Sequence, residues 1–208
     1  MIVIGSGGHA KVCVDLLKTI NRKVIGIVSL DKEVKSVLGV PVMGDEAIIN
    51  DYSINEIELI NGVGFLPGKN ARRLVFEKFK KWGYTFATIS HTSAIISPYS
   101  ELLEGCQIMA GAVIQAGTKI GENCIINTSV SIDHDCVILD NCHMAPSVTL
   151  CGDVSIGPNT FVGVGSVVSN GLSIGKNVTV AAGKTIIKSI PDNAVLIKER
   201  QDVTRYAE

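Results

Sequence analysis

The chain has 208 residues, 46% of them hydrophobic and 19% charged, with a formal net charge of −1. That length allows one or two domains, and the balanced charge lacks the basic excess of a nucleic-acid binder. No apolar run approaches the roughly 18 residues of a membrane span, and Met1 leads into structured sequence without a basic leader region. A cytoplasmic, soluble protein without a nucleic-acid or membrane partner is expected.

Met1 to Ile4 reads as a short apolar strand. It runs into Gly5-Ser6-Gly7-Gly8-His9-Ala10, after which Val12, Leu16, Leu17 and Ile20 recur at helical spacing. A strand, a glycine turn and a helix leave helix N-terminal amides pointing at whatever lies above them, a place suited to phosphate or other polar groups. Val24 to Val28 reads as a second parallel strand ending near Asp31. Val40 to Met43 and Ile57 to Ile60 read as further strands, Ala71 to Trp82 as an amphipathic helix, and Phe86 to Ile89 as the closing segment. Residues 1–88 thus form a small α/β, Rossmann-like unit. The second mononucleotide-binding half that a nicotinamide cofactor would need is missing, and a tight turn made only for packing is the plain alternative for the glycines.

From Ile96 to Ile186 every sixth residue is an aliphatic or Met144, with no insertion breaking the phase. Three places after each aliphatic, from Gly105 to Gly183, stands Gly, Asn, Asp or Ser, the set that tolerates left-handed backbone. One place further on are small or branched residues such as Cys106, Ala112, Thr118, Cys124 and Val130. A short strand, a bend and inward packing every six residues describe an all-β parallel β-helix. Three units close a triangular coil of 18 residues, so Ile96 to Pro191 makes about five coils, and residues 89–208 are the second domain, ending in a short extended tail. Cys106, Cys124, Cys136 and Cys142 occupy the small inward column, and no CxxC occurs, so the six cysteines are read as reduced packing residues. No Pro- or Ser-rich linker separates the halves, which should be rigidly joined.

The four histidines are His9, His91, His134 and His143. His134 stands between Asp133 and Asp135 in an outward column of the repeat. A carboxylate within hydrogen-bond reach fixes the imidazole tautomer and raises its basicity, as a general base requires. A solvated histidine on a polar face is the bland alternative, and Asp135 is at home in the turn column regardless. His134 and His143 are nine residues apart, half a coil, so within one chain they fall on different sides. If both serve one site, neighbouring subunits of a trimer must supply them. Gly152 lies one coil from His134 and should stack beside it, and Val164 and Ala182 are one coil apart on one outward column.

The whole chain resembles the left-handed β-helix, hexapeptide-repeat acyltransferases. Within them it is similar to bacterial nucleotide-sugar N-acetyltransferases that complete a 4-acetamido sugar such as UDP-diacetylbacillosamine, and to related sialic-acid O-acetyltransferases. Gly5-Ser6-Gly7-Gly8-His9, Asn127-Thr128, Ile132-Asp133-His134-Asp135-Cys136 and His143-Met144-Ala145-Pro146 with Gly152 carry the likeness. The resemblance implies an α/β N-terminal domain before a left-handed coil, in a homotrimer with sites at subunit interfaces. It implies acetyl-CoA as co-substrate, no metal, and transfer to the 4-amino group of a UDP- or dTDP-linked amino-dideoxy sugar. It makes His134 the general base, Asp135 its acidic neighbour and Gly152 the oxyanion donor. His143, Val164 and Ala182 correspond to acetyl-CoA contacts, Gly7, Gly8, His9, Asp31, Lys32 and Gly64 to nucleotide-sugar contacts, and Asn127 steers the sugar. Two places depart from the pattern: Gly64 is followed by the apolar Phe65-Leu66-Pro67, and Val195 to Arg200 replaces the Gly-x-Pro-Ala-Lys signature of the C-terminus. The nearest alternative acceptor is the hydroxyl of a sialic acid. A non-catalytic scaffold and a zinc enzyme like the γ-class carbonic anhydrases are the readings from other classes. The zinc enzyme needs three converging histidines, which the spacing does not offer.

Overall fold

A computed structural model describes residues 1–197. Lys198 to Glu208, and with them most of the tail expected at the C-terminus, lie outside the described residues.

The first strand, β1 (Ile2–Ile4), is followed by α1 (Gly8–Thr19), β2 (Gly26–Val28), β3 (Ser36–Val37), β4 (Val40–Gly44), a 3₁₀ turn (Glu46–Asp51), β5 (Leu59–Asn61) and α2 (Ala71–Lys81). The sheet order is β3-β4-β2-β1-β5, parallel except for the β3-β4 hairpin. Alternate residues of the central strands point to opposite sides, as the pleat requires. Val3, Ile27 and Ile60 pack with Ala10, Cys13, Val14 and Leu17 of α1. Ile2, Ile4, Val28 and Leu59 pack with Phe76 and Phe79 of α2. Helices therefore cover both faces, the layering of a Rossmann-like unit. Three details differ from the sequence reading. Val12 is 45% exposed, because Ala10, Cys13, Val14, Leu16 and Leu17 form the buried stripe of α1. The β3 hairpin strand was not anticipated. Phe86 makes only an isolated bridge to Leu59, whereas Ile89–Ser90 pairs with Gln107–Ile108 and belongs to the second domain.

The second domain is a parallel coil with two-residue strands on three faces, of seven, six and five strands. Register advances by one 18-residue coil: Val113 pairs with Ser131, Ser131 with Thr149, and Thr149 with Val167. Seven strands on one face make six coils, one more than expected. Ser90 fills an aliphatic slot in the first, and the last is two residues short, with Thr179 opposite Val195. Every turn position from Gly105 to Gly183 has positive φ, between +54° and +77°. In an L-residue this region is costly; Gly enters it freely and Asn and Asp more readily than most, and Ser129 and Ser147 are held there too.

The small inward column does more than fill space. Cys106, Cys124, Cys136 and Cys142 each place Sγ 3.0–3.2 Å from the carbonyl oxygen of a residue fifteen further on, and Thr118, Thr160 and Ser166 donate their hydroxyls in the same way at 2.8–3.1 Å. These hydrogens satisfy corner carbonyls that the ladder leaves over. All six cysteines are free thiols. Burial pushes the Cys13 thiol up to about 12 and raises Cys106 and Cys124 as well, which keeps them protonated and inert.

The outward side of the seven-stranded face is where the first domain docks. Buried Arg72 donates from Nη1 to the carbonyls of Asn61 (2.7 Å) and Val63 (2.8 Å) and from Nε to that of Asn123 (3.3 Å), while the Asn61 amide reaches Asn123 Oδ1 at 3.1 Å. Glu104 of the coil takes Lys80 at 2.6 Å and the Phe86 N–H at 2.8 Å.

Candidate active site

His134 lies in the corner between the six-stranded and five-stranded faces, after the strand Ser131–Ile132. Asp135 next to it is a turn residue with φ of +59°, and this left-handed turn swings its carboxylate back to the ring. Oδ2 lies 2.9 Å from His134 Nδ1, and the His134 N–H donates to Asp133 Oδ1 at 2.8 Å. The His134 side chain is 60% exposed, so it is no core residue. Its pKa is raised, first by the hydrogen bond to Asp135 and then by the charge of Asp133. With Nδ1–H held by a carboxylate, Nε2 keeps its lone pair, the arrangement of a general base.

Gly152 stacks one coil away. A Cβ there would stand 2.5 Å from His134 Nε2, so the ring occupies the space that only glycine leaves. Among the described residues no acceptor takes the Gly152 N–H.

Val164 and Ala182 share the next corner, between the seven-stranded and six-stranded faces. Both are exposed, and they are stacked through the hydrogen bond from Gly183 N–H to the Val164 carbonyl at 2.8 Å. His143 is elsewhere. It points outward from the seven-stranded face, where Phe65 and Phe161 wall its ring edge-on at 5.8 and 5.2 Å and leave it 9% exposed. The Asn127 carboxamide oxygen accepts from Thr128 N–H at 2.8 Å, so its NH₂ faces His143 Nε2 at 3.1 Å, and the imidazole hydrogen sits on Nδ1. Burial lowers the His143 pKa to about 3, with His9 and Arg72 adding to the effect, and the ring is neutral. One chain thus keeps His134 and His143 on different sides of the coil.

The glycine turn opens on a cavity of about 330 Å³, bordered by Gly7, Gly8, His9, Gly64, Leu66 and Lys69. Packing does not explain Gly7 and Gly8: a Cβ on either would meet nothing, and neither has positive φ, whereas Gly5 of the same turn is at φ +98°. Their bareness instead leaves the first-turn amides of α1 open to a ligand. Asp31 and Lys32 border a second cavity of about 370 Å³. The Ser6–Ser29 hydroxyl pair, at 2.7 Å, ties the β1 and β2 ends together, and Ser29 lines the second cavity.

Gln107 and Arg72 belong to this region and carry no signal of their own in the sequence, and Phe65 stands out there only as a departure from the family pattern. Phe65 stacks on Phe161 at 5.6 Å, which gives the apolar Phe65-Leu66-Pro67 departure a packing role. The available signal was the outward column Gln107, Ile125, His143 and Phe161, whose bulk marks a covered face.

Comparison with known proteins extends these observations. Residues 1–79 match the PglD N-terminal domain, residues 117–152 the bacterial transferase hexapeptide of six repeats, and residues 153–188 the hexapeptide repeat of succinyl-transferase. A histidine-to-asparagine variant of perosamine N-acetyltransferase from Caulobacter crescentus, in complex with CoA and GDP-perosamine, is 34% identical, with a TM-score of 0.86 over 93% of this chain and 91% of that one. The chain belongs to the hexapeptide-repeat sugar N-acetyltransferases. The acetyltransferase domain of PglB from Neisseria gonorrhoeae, in complex with acetyl coenzyme A, is 32% identical with a TM-score of 0.86, covering 93% of each chain. WeeI from Acinetobacter baumannii shares the fold at 20% identity, with a TM-score of 0.83 over 93% of this chain and 94% of that one. No curated protein sequence matches. With the family comes the left-handed coil, an exception to the usual right-handed crossover.

Proposed function

We propose that the chain transfers acetyl from acetyl-CoA to the 4-amino group of a nucleotide-linked amino-dideoxy sugar, directly and in a ternary complex. The observation that carries this reading is the His134–Asp135 pair lying over Gly152. The sugar amine attacks the thioester carbonyl, forming the C–N bond, and His134 Nε2 takes the amine proton. The Gly152 N–H stabilises the oxyanion of the tetrahedral intermediate. As the C–S bond breaks, the imidazolium returns its proton to the departing CoA sulfur. No covalent acyl-enzyme is needed.

The glycine-turn cavity is the nucleotide-sugar site, with Gly7, Gly8, His9 and Gly64 as its contacts and Asp31 and Lys32 extending it into the second cavity. Asn127 orients the sugar. Acetyl-CoA lies along the exposed Val164 and Ala182 corner, with His143 as the third contact implied by family likeness. The His134 corner and this corner lie on different edges of one prism, which supports a homotrimer whose neighbouring subunits complete each site. Residues 1–88 and 89–208 divide the work between nucleotide-sugar binding and acetyl transfer. The six free cysteines fit a reducing cytoplasm.

Relatives that act on perosamine favour amine over hydroxyl acceptors. Because they bind a GDP-linked sugar, GDP joins UDP and dTDP as a nucleotide to be tried. CoA release should be followed with acetyl-CoA and UDP-, dTDP- or GDP-linked 4-amino sugars, with sialic acid as the competing acceptor. His134→Ala should lose about 100- to 10,000-fold in turnover while still binding both substrates. Unimpaired turnover in that variant would sink the assignment of the base.

A further inference from the structure

Gln107 comes from the coil but completes a side chain of the first domain. It is 1% exposed, and its two ends meet different partners. Nε2 donates to the Asn61 carbonyl at 2.9 Å, and Oε1 lies 2.7 Å from His9 Nε2. The amide cannot be turned over. A carbonyl oxygen only accepts, so the Gln107 nitrogen must face Asn61; the reverse would set two oxygens against each other in a buried place. Arg72 Nη1 donates to the same Asn61 carbonyl at 2.7 Å and holds it in position.

The consequence passes to the imidazole. An amide oxygen opposite a ring nitrogen requires that nitrogen to carry the hydrogen, so His9 Nε2 is a donor. Cys13 Sγ, 3.7 Å from the same nitrogen, is at most a weak second acceptor. Burial, reinforced by the nearby Arg72 charge, lowers the His9 pKa to about 4, and the ring is neutral near pH 7. Nδ1 then carries a lone pair. It has no protein partner among the described residues, and His9 borders the glycine-turn cavity.

We propose that Gln107 is a positioning residue that locks His9 as its Nε2–H tautomer, so that Nδ1 accepts a hydrogen bond from a hydroxyl or amine of the bound nucleotide sugar. The diphosphate is left to the first-turn amides of α1. The coil thereby sets a specificity element inside the first domain: the cavity favours a ligand that places a donor at Nδ1 over one that places a phosphate oxygen there. This rests on the cavity being the nucleotide-sugar site.

The test uses the full chain labelled with ¹⁵N-histidine, its His9 resonances assigned through His9→Gln. A pyrrole-like Nε2 and a pyridine-like Nδ1 are expected throughout about pH 6 to 8. An Nδ1–H tautomer, or titration to imidazolium in that range, would overturn the lock. Gln107→Met keeps the length and removes the acceptor. It should mix the tautomers and weaken binding of GDP-perosamine or a UDP-4-amino sugar about tenfold, with CoA affinity unchanged. Unaltered tautomers and unaltered nucleotide-sugar affinity in this variant would also overturn it. An intact Nε2–H tautomer whose resonances ignore every bound nucleotide sugar would leave the lock standing and overturn the cavity assignment. The failure of the one is thus separate from the failure of the other.

Discussion

At the scale of single residues, the basicity of His134 depends on Asp135. A raised pKa means that imidazolium persists to higher pH, so a base that must be neutral gains activity only as pH climbs through that raised value. Asp135→Asn removes the hydrogen-bonded charge and lowers the pKa. The acid limb of the pH–rate profile should move to lower pH, and the plateau rate should fall because the ring is no longer held. A profile that stays in place would show Asp135 to be only a turn residue. Gly152→Ala drives a methyl to within 2.5 Å of Nε2, so the ring must move. Activity should drop about 100-fold or more, with the melting temperature nearly unchanged, since the corner is at the surface. How His134, Asp135 and Gly152 lie relative to one another was legible in the sequence, because an 18-residue coil turns sequence separation into spatial position. The indifference of Gly7 and Gly8 to packing was not legible, since only coordinates reveal what a Cβ would touch.

At the scale of the element, each coil closes its polar accounts through side chains that look like filler. Thr160 is fully buried. It donates to the Gly175 carbonyl at 2.8 Å and accepts from the Val178 N–H at 3.1 Å. Thr160→Val keeps the shape and strands both groups, so the coil should lose about 2 kcal/mol in urea unfolding, whereas Thr160→Ser should lose less. Equal losses in the two variants would mean that packing, and not the hydroxyl, carries the effect. The inward position of this column was readable from its period. That its Cys, Thr and Ser hydrogens reach carbonyls fifteen residues on was not, since that reach depends on the pitch of the coil. The coil count fell short for a local reason: Ser90 and the two-residue deletion near Lys188 break the pattern at the ends, while backbone pairing continues regardless.

For the whole molecule, the two working corners face different ways. His134 lies between the six- and five-stranded faces, and Val164 and Ala182 lie between the seven- and six-stranded faces. If neighbouring subunits complete each site, two inactive variants should complement. His134→Ala supplies a sound Val164 corner, and Val164→Trp supplies a sound His134. Co-refolding the two should restore a fraction of wild-type turnover, whereas each alone stays inactive. No recovery in mixed assemblies shown by sedimentation to be trimers would place the whole site within one subunit.

The periodic half of the fold was settled by the sequence alone: a six-residue beat of aliphatics, with turn residues that bear positive φ, specifies a triangular coil whatever surrounds it. The outward place of His134, its carboxylate partner and the stacking of Gly152 followed from that beat. Only the tertiary structure decided how the halves meet. Arg72, Asn61, Gln107 and His9 are far apart in the chain and follow no period, and they join because the first domain folds back onto the seven-stranded face. Long-range hydrogen bonds between non-repeating residues leave no local pattern, so the tautomer of His9 had to be read from geometry.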